Sequence, residues 1–206
     1  MPNFEIIKRS TAIKTFRVAS VIDGFDIKSE TIEERFRGSI DIEGLDWNVG
    51  LIVGASGTGK STIAEQVFGE EAFALWPQGD GAVIDSMPAR SFDEITGAFN
   101  SVGFSSPHSW IKPYSVLSNG ERMRVDLAYN LLGDSELFVF DEFTSVVDRT
   151  VAKIGSLAIQ KNIRDHNKKF VAVSCHYDII EWLMPDWVFN TDRMEFESGL
   201  KKKTKN

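Results

Sequence analysis

One octapeptide constrains this chain more than any other feature. It follows the pattern G-x-x-x-x-G-K-S/T and consists of Gly54, Ala55, Ser56, Gly57, Thr58, Gly59, Lys60 and Ser61. The residues before it, Leu51 to Val53, have the composition of a strand buried on both faces, and residues 61–68 after it have helical character. Strand, glycine-rich turn and helix in this order are the context in which such an octapeptide binds phosphate. The octapeptide is therefore predicted to be a phosphate-binding loop.

The residue types of this loop indicate how it would hold its ligand. Glycines let the backbone turn tightly and aim successive N–H groups at phosphate oxygens, and the helix start adds partial positive charge. Lys60 is expected to reach the β- and γ-phosphates, the Ser61 hydroxyl to bind Mg²⁺, and the Thr62 hydroxyl to lie near the α-phosphate. The loop therefore predicts bound ATP and Mg²⁺.

A pair of carboxylates ends a second apolar run. Asp141 and Glu142 follow Leu137 to Phe140, a run that is typical of a buried strand, and ligands of open α/β sheets bind at the carboxyl ends of the strands. Asp141 is expected to hold Mg²⁺ through water, and Glu142 to polarise the attacking water as a general base. Without the phosphate loop, the same pair would be read simply as the start of a loop.

Strand-like and helix-like segments alternate along the chain, which predicts an α/β fold with a largely parallel sheet. Strands are expected at Phe16–Ile22, Ser39–Ile42, Leu51–Val53, Gly81–Ile84, Leu137–Phe140, Phe170–Ser174 and Trp187–Asn190. Helices are expected at Ser61–Phe68, Asp93–Val102, Glu121–Leu132, Val151–His166 and Ile179–Leu183.

The segment Leu117 to Glu121 narrows the class, because it resembles the Leu-Ser-Gly-Gly-Gln signature of ABC (ATP-binding cassette) ATPases. The resemblance implies that Ser118, Asn119, Gly120 and Glu121 contact the γ-phosphate of ATP held by another protomer. Asn119 stands where the family has glycine, and Glu121 where it has glutamine. The same residues also match a capping box, and both roles can hold together, since a helix start is an anion site.

Further matches follow in the order of that family. Residues 145–148, ending in Asp148, resemble the D-loop that crosses the dimer interface, and His176 resembles the switch histidine that contacts the γ-phosphate. Phe25 is expected to stack on adenine as the family's aromatic residue does, with Phe16 and Phe36 as alternatives. The family places a glutamine at the end of the strand that leads into the helical subdomain. Asp85 is placed at that position as a ligand of Mg²⁺, with Gln78 as the alternative.

The resemblance implies a P-loop NTPase of the ABC type, with a mostly parallel core sheet, an antiparallel β subdomain and a short helical subdomain. Residues 1–206 are expected to form one ATPase domain, with the core at about 11–85 and 137–199, the helical subdomain at about 86–136, and a basic tail at 200–206. In this class ATP hydrolysis takes place between two head-to-tail copies, so a homodimer is expected when ATP is bound.

Composition excludes some functions. The formal net charge of −7 argues against a chain that coats nucleic acid through overall charge, and a single cysteine rules out an internal disulfide. No apolar run approaches the ~18 residues that a membrane helix needs, and the first ten residues do not resemble a signal peptide. No membrane insertion is expected, and the cytoplasm is the expected location.

The spacing of the motifs bears on the kind of ABC protein. Fifty-seven residues, 61 to 117, separate Lys60 from Ser118, which is short for a transporter subunit and too short for a long coiled-coil insertion. Residues 100–114 and 175–182 resemble bacterial and phage ABC ATPase domains, some of them fused to an N-acetyltransferase-like domain. An acyltransferase-like or nucleic-acid partner follows as a hypothesis. A transporter subunit and a DNA-linked mechanical ATPase of the chromosome-maintenance or repair type are the alternatives.

Overall fold

The computed structural model describes residues 3–11, 13, 15–27 and 31–199. The predicted basic tail at 200–206 lies outside the described residues. The strands are β1 (Asn3–Thr11), β2 (Thr31–Ser39), β3 (Val49–Val53), β4 (Leu137–Phe140), β5 (Lys169–Ser174), β6 (Trp187–Asn190) and β7 (Glu195–Ser198). The helices are α1 (Phe16–Gly24), α2 (Lys60–Phe68), α3 (Phe92–Ser101), α4 (Pro107–Trp110), α5 (Asn119–Leu132), α6 (Arg149–Asp165) and α7 (Ile179–Leu183).

The main sheet has the strand order β4-β5-β3-β6-β7, in which β7 alone runs antiparallel to its neighbour. Its central strand β3 pairs in parallel on both sides, and all five of its residues are buried. An apolar strand without alternation is what burial on both faces requires. The predicted α/β class with a mostly parallel sheet is confirmed.

Two apolar layers cover the two faces of this sheet. Leu51 belongs to the layer that includes residues of α3, α5 and α6, whereas Ile52 belongs to the layer that includes residues of α2, β1 and β2. Successive side chains of a strand point to opposite faces, so adjacent residues enter different layers. The sheet is thereby held between helices on one side and a mixed α and β layer on the other.

An arm formed by β1 and β2 precedes the main sheet. The two strands pair antiparallel from Asn3 opposite Ser39 to Thr11 opposite Thr31, in agreement with the antiparallel β element that the family resemblance implied. Helix α1 lies between them in sequence, and none of its residues is buried.

The strand prediction for Phe16–Ile22 is wrong, because this segment forms α1. The Thr15 side chain accepts a hydrogen bond from Val18 N (3.2 Å) and caps the helix. The β-branched residues favour a strand by less than about 1 kcal/mol each, which helical hydrogen bonds outweigh where no strand partner is available.

Two other short predictions also fail. Of Ser39–Ile42, Ser39 is the last residue of β2, and the strand lies N-terminal to the predicted segment. Gly81–Ile84 is not a strand either, since Val83–Ser86 forms a 3₁₀ turn. Ala82 pairs with Pro113 in an isolated bridge, and a proline, which has no N–H, cannot extend a ladder of hydrogen bonds.

Candidate functional site

The glycine-rich loop connects β3 to α2 in the conformation that its sequence predicts. Gly57 and Gly59 have φ values of 84° and 82°, in the left-handed region that favours glycine. A Cβ atom on Gly59 would lie 2.8 Å from the ring of Phe36, so any side chain at this position would collide with the arm. The backbone therefore requires glycine here for both conformation and space.

Lys60 is the first residue of α2 and is 9% exposed. Its Nζ donates to the carbonyl oxygen of Ala55 (2.7 Å), which also accepts a hydrogen bond from the Thr58 hydroxyl (2.8 Å). The ammonium group thus lies against the loop itself, while Ser56 and Gly57 stay exposed and Thr62 is half-buried. A buried cation at a helix start above an open loop suits an anionic ligand.

The carboxylate pair lies at the same sheet edge as this loop. Asp141 directly follows β4, which pairs in parallel with β5, and β5 pairs with β3, so the carboxyl ends of all three strands face one way. Asp141 Oδ1 accepts a hydrogen bond from Glu142 N (2.9 Å). Glu142 is exposed, with φ 53°. The left-handed backbone turns the second carboxylate away from the direction of the strand.

His176 follows β5 at this edge. Its backbone N–H donates to the Ser174 hydroxyl (3.1 Å), and its Nδ1 lies 3.8 Å from the sulfur of Cys175. The side chain is half-buried. The strand order therefore brings the predicted switch histidine to the edge that holds the glycine-rich loop and the carboxylates.

A cavity of about 200 Å³ lies beside the carboxylate pair, with Asn119, Asp126 and Glu142 in its lining. Three buried polar atoms from its lining make no hydrogen bond to any described residue: Arg122 Nε, Asp126 Oδ1 and Thr144 Oγ1. Burial raises the pKa of Asp126 to about 7, although Tyr114 donates a hydrogen bond to its other oxygen (2.9 Å). This cavity has room and polar partners for water next to Glu142.

Ser118 and Glu121 form a complete capping box at the start of α5. Glu121 N donates to the Ser118 hydroxyl (3.3 Å), and Ser118 N donates to Glu121 Oε2 (2.9 Å). Glu121 Oε1 accepts a hydrogen bond from Ser109 (2.8 Å). The carboxylate accepts from Ser118 N, from Ser109 and from the Ser118 hydroxyl, and these three hydrogen bonds, in that order of size, lower the pKa of Glu121. No hydrogen bond among the described residues joins this segment to the glycine-rich loop of the same chain.

Asp148 caps the following helix, α6. Its carboxylate accepts hydrogen bonds from the backbone N–H groups of Thr150 (2.9 Å) and Val151 (3.1 Å), and its side chain stays exposed. Val146, two residues earlier, is 64% exposed. The predicted D-loop therefore presents exposed side chains beside a capped helix start.

Two of the three candidate aromatics are exposed, and the third is buried. Phe25 is 78% exposed at the end of α1, and Phe16 is 87% exposed at its start. Phe36 is buried and packs beneath Gly59, so its ring supports the glycine-rich loop from below.

The two candidates for the family's glutamine position lie in irregular backbone. Asp85 is exposed within the 3₁₀ turn Val83–Ser86. Gln78 is also exposed, and its amide donates to the carbonyl oxygen of Trp76 (3.3 Å). No hydrogen bond among the described residues links either side chain to the carboxylate pair.

Ser61 and Asp141 supply the hydroxyl and carboxylate oxygens that Mg²⁺ prefers. The described part of the chain contains no cluster of three or more His, Cys, Asp or Glu side chains that could hold a metal. Mg²⁺ commonly takes one or two protein ligands and completes its shell with phosphates and water. The oxygens present fit a magnesium ion that arrives with a nucleotide.

Three residues that sequence reasoning missed also contact this site. Asp192 and Thr191 follow β6, and Asp192 Oδ1 accepts a hydrogen bond from Ala55 N (2.9 Å). The Thr191 hydroxyl lies 2.6 Å from that of Thr58, and Tyr177 donates a hydrogen bond to Asp192. A turn after a late strand carries no local signal for such contacts, because its partner lies 137 residues earlier in the chain.

Comparisons of the sequence match only a segment. No family model matches the chain. The mRNA export factor elf1 of Schizosaccharomyces pombe is 33% identical over 92 residues, which are 40% of this chain and 8% of that protein. The chain therefore spans a small fraction of this curated relative. Among the described residues, no helix is both long enough and apolar enough to cross a membrane.

Comparisons of the structure cover the chain more fully. The dimeric structure of MJ0796, a bacterial ABC transporter cassette, is 14% identical with a TM-score of 0.60, over 90% of this chain and 94% of that one. The post-hydrolysis dimer of MJ0796 bound to ADP and Pi is 13% identical with a TM-score of 0.62, over 96% and 100%. A bacterial Atm1-family ABC exporter with ATP bound is 18% identical with a TM-score of 0.58, over 73% of this chain and 34% of the exporter. The chain has the fold of ABC ATPase cassettes.

Proposed function

We propose that this chain binds ATP with Mg²⁺ and hydrolyses it to ADP and phosphate, as a head-to-tail homodimer. The observation that carries the proposal is the sheet edge itself. There, the buried ammonium of Lys60 lies within a complete phosphate-loop motif, and Asp141 and Glu142 follow a strand of the same parallel sheet. A cation and two carboxylates around one open loop are what phosphoryl transfer to water requires.

Each residue has a separate task in this proposal. The loop N–H groups and Lys60 neutralise the phosphates, and Ser61 and Asp141 hold the magnesium ion that screens their charge. Glu142 accepts a hydrogen bond from the attacking water and takes up its proton as the water oxygen bonds to the γ-phosphorus and ADP leaves. His176 donates to the γ-phosphate as charge develops on it.

The homodimer completes this site. Ser118 and Glu121 use their own N–H groups in the capping box, whereas the N–H groups of Asn119 and Gly120 donate to no described residue and are available to a nucleotide on a second copy. Two apolar side chains near this helix start and the D-loop, Val116 and Val146, are each 64% exposed. The MJ0796 structures, whose fold this chain shares, are dimeric.

Glu142→Gln tests the composite site. Glutamine keeps the size of the side chain and can still hydrogen-bond water, but it cannot accept a proton. We expect turnover to fall roughly 10²–10⁴-fold. Size-exclusion chromatography with ATP and Mg²⁺ should show a dimer, because the undegraded nucleotide continues to bridge the two copies.

Ser118→Arg in the Glu142→Gln background is the matched control. Its bulk should block the partner's nucleotide and leave a monomer that still binds ATP. A Glu142→Gln variant that stays monomeric at saturating ATP would refute the composite site in the isolated chain.

The finer parts of the proposal rest on sequence and exposure. We assign Phe25 to adenine. Its ring is exposed, whereas the ring of Phe36 is buried against Gly59. The 57 residues from 61 to 117 support a cytoplasmic ATPase coupled to a partner protein or nucleic acid rather than a transporter subunit. Asp85 is assigned to the magnesium site as a further ligand, which an Asp85→Ala variant with a raised Mg²⁺ requirement would support.

A further inference from the structure

The turn after β6 holds the start of the glycine-rich loop. Asp192 Oδ1 accepts a hydrogen bond from Ala55 N (2.9 Å), and Thr191 N donates to the carbonyl oxygen of Val53 (2.8 Å). Thr191 is 3% exposed, and its hydroxyl meets that of Thr58 at 2.6 Å. The turn after β6 therefore supports the loop at its backbone and at one of its side chains, Thr58.

The second oxygen of the same carboxylate holds a different loop. Tyr177 donates its hydroxyl hydrogen to Asp192 Oδ2, and Tyr177 directly follows the candidate switch residue His176. The hydrogen bonds from Tyr177 and then Ala55 lower the pKa of Asp192, whereas burial and the carboxylate raise the pKa of Tyr177. A charged carboxylate thus accepts a hydrogen bond from each of the two loops at neutral pH.

We infer that Tyr177 and Asp192 are positioning residues that couple the His176 loop to the phosphate loop. The inference rests on the proposed ATPase function. It adds a hydrogen-bonded connection between Lys60 and His176, the two residues that we propose to act on the γ-phosphate. On one side, Ala55 connects Asp192 to Lys60, because its N–H donates to the carboxylate and its carbonyl accepts from the ammonium (2.7 Å). On the other side, Tyr177 connects Asp192 to the backbone that carries His176.

The reactivity of Cys175 can be used to measure this coupling. Cys175, the single cysteine, is half-buried and lies next to His176, with its sulfur 4.0 Å from the Ser145 hydroxyl. If the Tyr177 hydroxyl holds this loop, Tyr177→Phe should raise the rate at which a thiol reagent modifies Cys175 in the nucleotide-free protein. We expect a rise of about fivefold or more, since one hydrogen bond to a charged group is lost.

The kcat and KM of ATP hydrolysis distinguish a positioning role of Tyr177 and Asp192 from a general role in packing. Tyr177→Phe should lower kcat about tenfold and leave KM for ATP within twofold, because the phosphate loop keeps its contact with Asp192. Asp192→Ala should lower kcat and raise KM. Asp192→Asn should restore most of both, since an amide can accept from Ala55 N and donate to the Tyr177 oxygen.

Non-additivity is the decisive result. Tyr177→Phe combined with Asp192→Ala should have the kcat of Asp192→Ala alone, because both changes break one connection. Tyr129→Phe is the control, since the Tyr129 hydroxyl makes no hydrogen bond to a described residue; it should change neither labelling nor turnover. Losses that multiply in the double variant would overturn the coupling.

The labelling result also separates the two proposals. Wild-type labelling rates in Tyr177→Phe would overturn the coupling whatever the ATPase activity. Faster labelling in a chain whose wild-type form does not hydrolyse ATP would support the hydrogen-bonded connection and refute the ATPase function instead.

Discussion

The central strand β3 and the arm formed by β1 and β2 both consist of β-strands, but they differ in what surrounds them. Strand β3 has a parallel neighbour on each side, and every residue in it is buried. Strand β1 pairs with β2 alone, and α1 between them buries none of its residues. Where tertiary packing encloses a segment, its residue types are constrained by burial and its structure follows from them. In α1, which has no buried residue, capping and local propensity decide the structure instead.

The largest expected difference between the two regions is catalytic. Lys60→Ala removes the buried cation that we propose to contact the phosphates, so hydrolysis should fall by at least ~10²-fold and ATP affinity should weaken. Lys8→Ala, the same change at an exposed position of β1, should leave both within twofold. Phosphate release and calorimetric ATP titration measure the pair. Equal effects of the two variants would show that the phosphate loop is not the site.

The second comparison uses one added methyl group in each region. A Cβ on Gly50 of β3 would lie 2.0 Å from the ring of Trp187, whereas a Cβ on Gly24 of α1 would meet nothing within 4 Å. Gly50→Ala should therefore lower the free energy of unfolding by about 3 kcal/mol or more. Gly24→Ala should leave it unchanged or raise it by up to about 0.5 kcal/mol, through better helix propensity. Urea unfolding of both variants gives the values, and a stable Gly50→Ala protein would contradict the packing of this sheet.

A smaller effect concerns pH. Asp126 keeps its proton in the folded chain up to about pH 7, whereas an unfolded aspartate loses it near pH 4. Between these values the folded state binds more protons, so the free energy of unfolding should fall as pH rises. Asp126→Asn removes this contribution, and its stability relative to wild type should increase by about 1–2 kcal/mol from pH 4.5 to pH 8, allowing for partial solvent screening.

The arm offers the contrasting group for that measurement. Hydrogen bonds from Arg35 and then Arg9 lower the pKa of Glu33, which is exposed on β2. Its stabilising contribution would be lost as pH falls rather than as pH rises, so Glu33→Gln should leave the slope between pH 5 and pH 8 unchanged. A constant difference between Asp126→Asn and wild type across this range would show that Asp126 titrates normally.

The smallest expected effect is confined to α1. Thr15→Ala removes the hydrogen bond from Val18 N to the capping side chain, which is worth about 0.5–2 kcal/mol to a helix. Because α1 contains no buried residue, this loss should speed hydrogen exchange within Phe16–Gly24 by a few-fold and leave the midpoint of global urea unfolding unchanged. A shift of the global midpoint would mean that α1 is packed against the rest of the protein.

Local chemistry explains which predictions held. The glycine-rich loop, the helix after it and the strand before Asp141 were predictable, since each depends on residues that are adjacent in sequence. The same holds for the capping box of Ser118 and Glu121, a pattern that spans four residues. The roles assigned to His176, Phe25 and Asp85, and the division at residues 86–136, stay predictions.

Long-range contacts explain what was missed. Asp192 reaches Ala55 across 137 residues, and nothing near either residue indicates the other. The strand predicted at Gly81–Ile84 failed for a related reason, since its chance of pairing depended on Pro113, which cannot donate a hydrogen bond.

The sequence by itself determined that this chain has an α/β fold with a glycine-rich loop between strand and helix and a carboxylate pair after a buried strand, because motif spacing and apolar runs encode local backbone and burial. Only the tertiary structure decided that Phe36 supports Gly59, and that Tyr177 and Asp192 contact the site. Those outcomes depend on which strands become neighbours in the sheet. The free energy of burying both faces of the main sheet determines which strands pair. No single segment contributes enough of that free energy for its own sequence to indicate its neighbours.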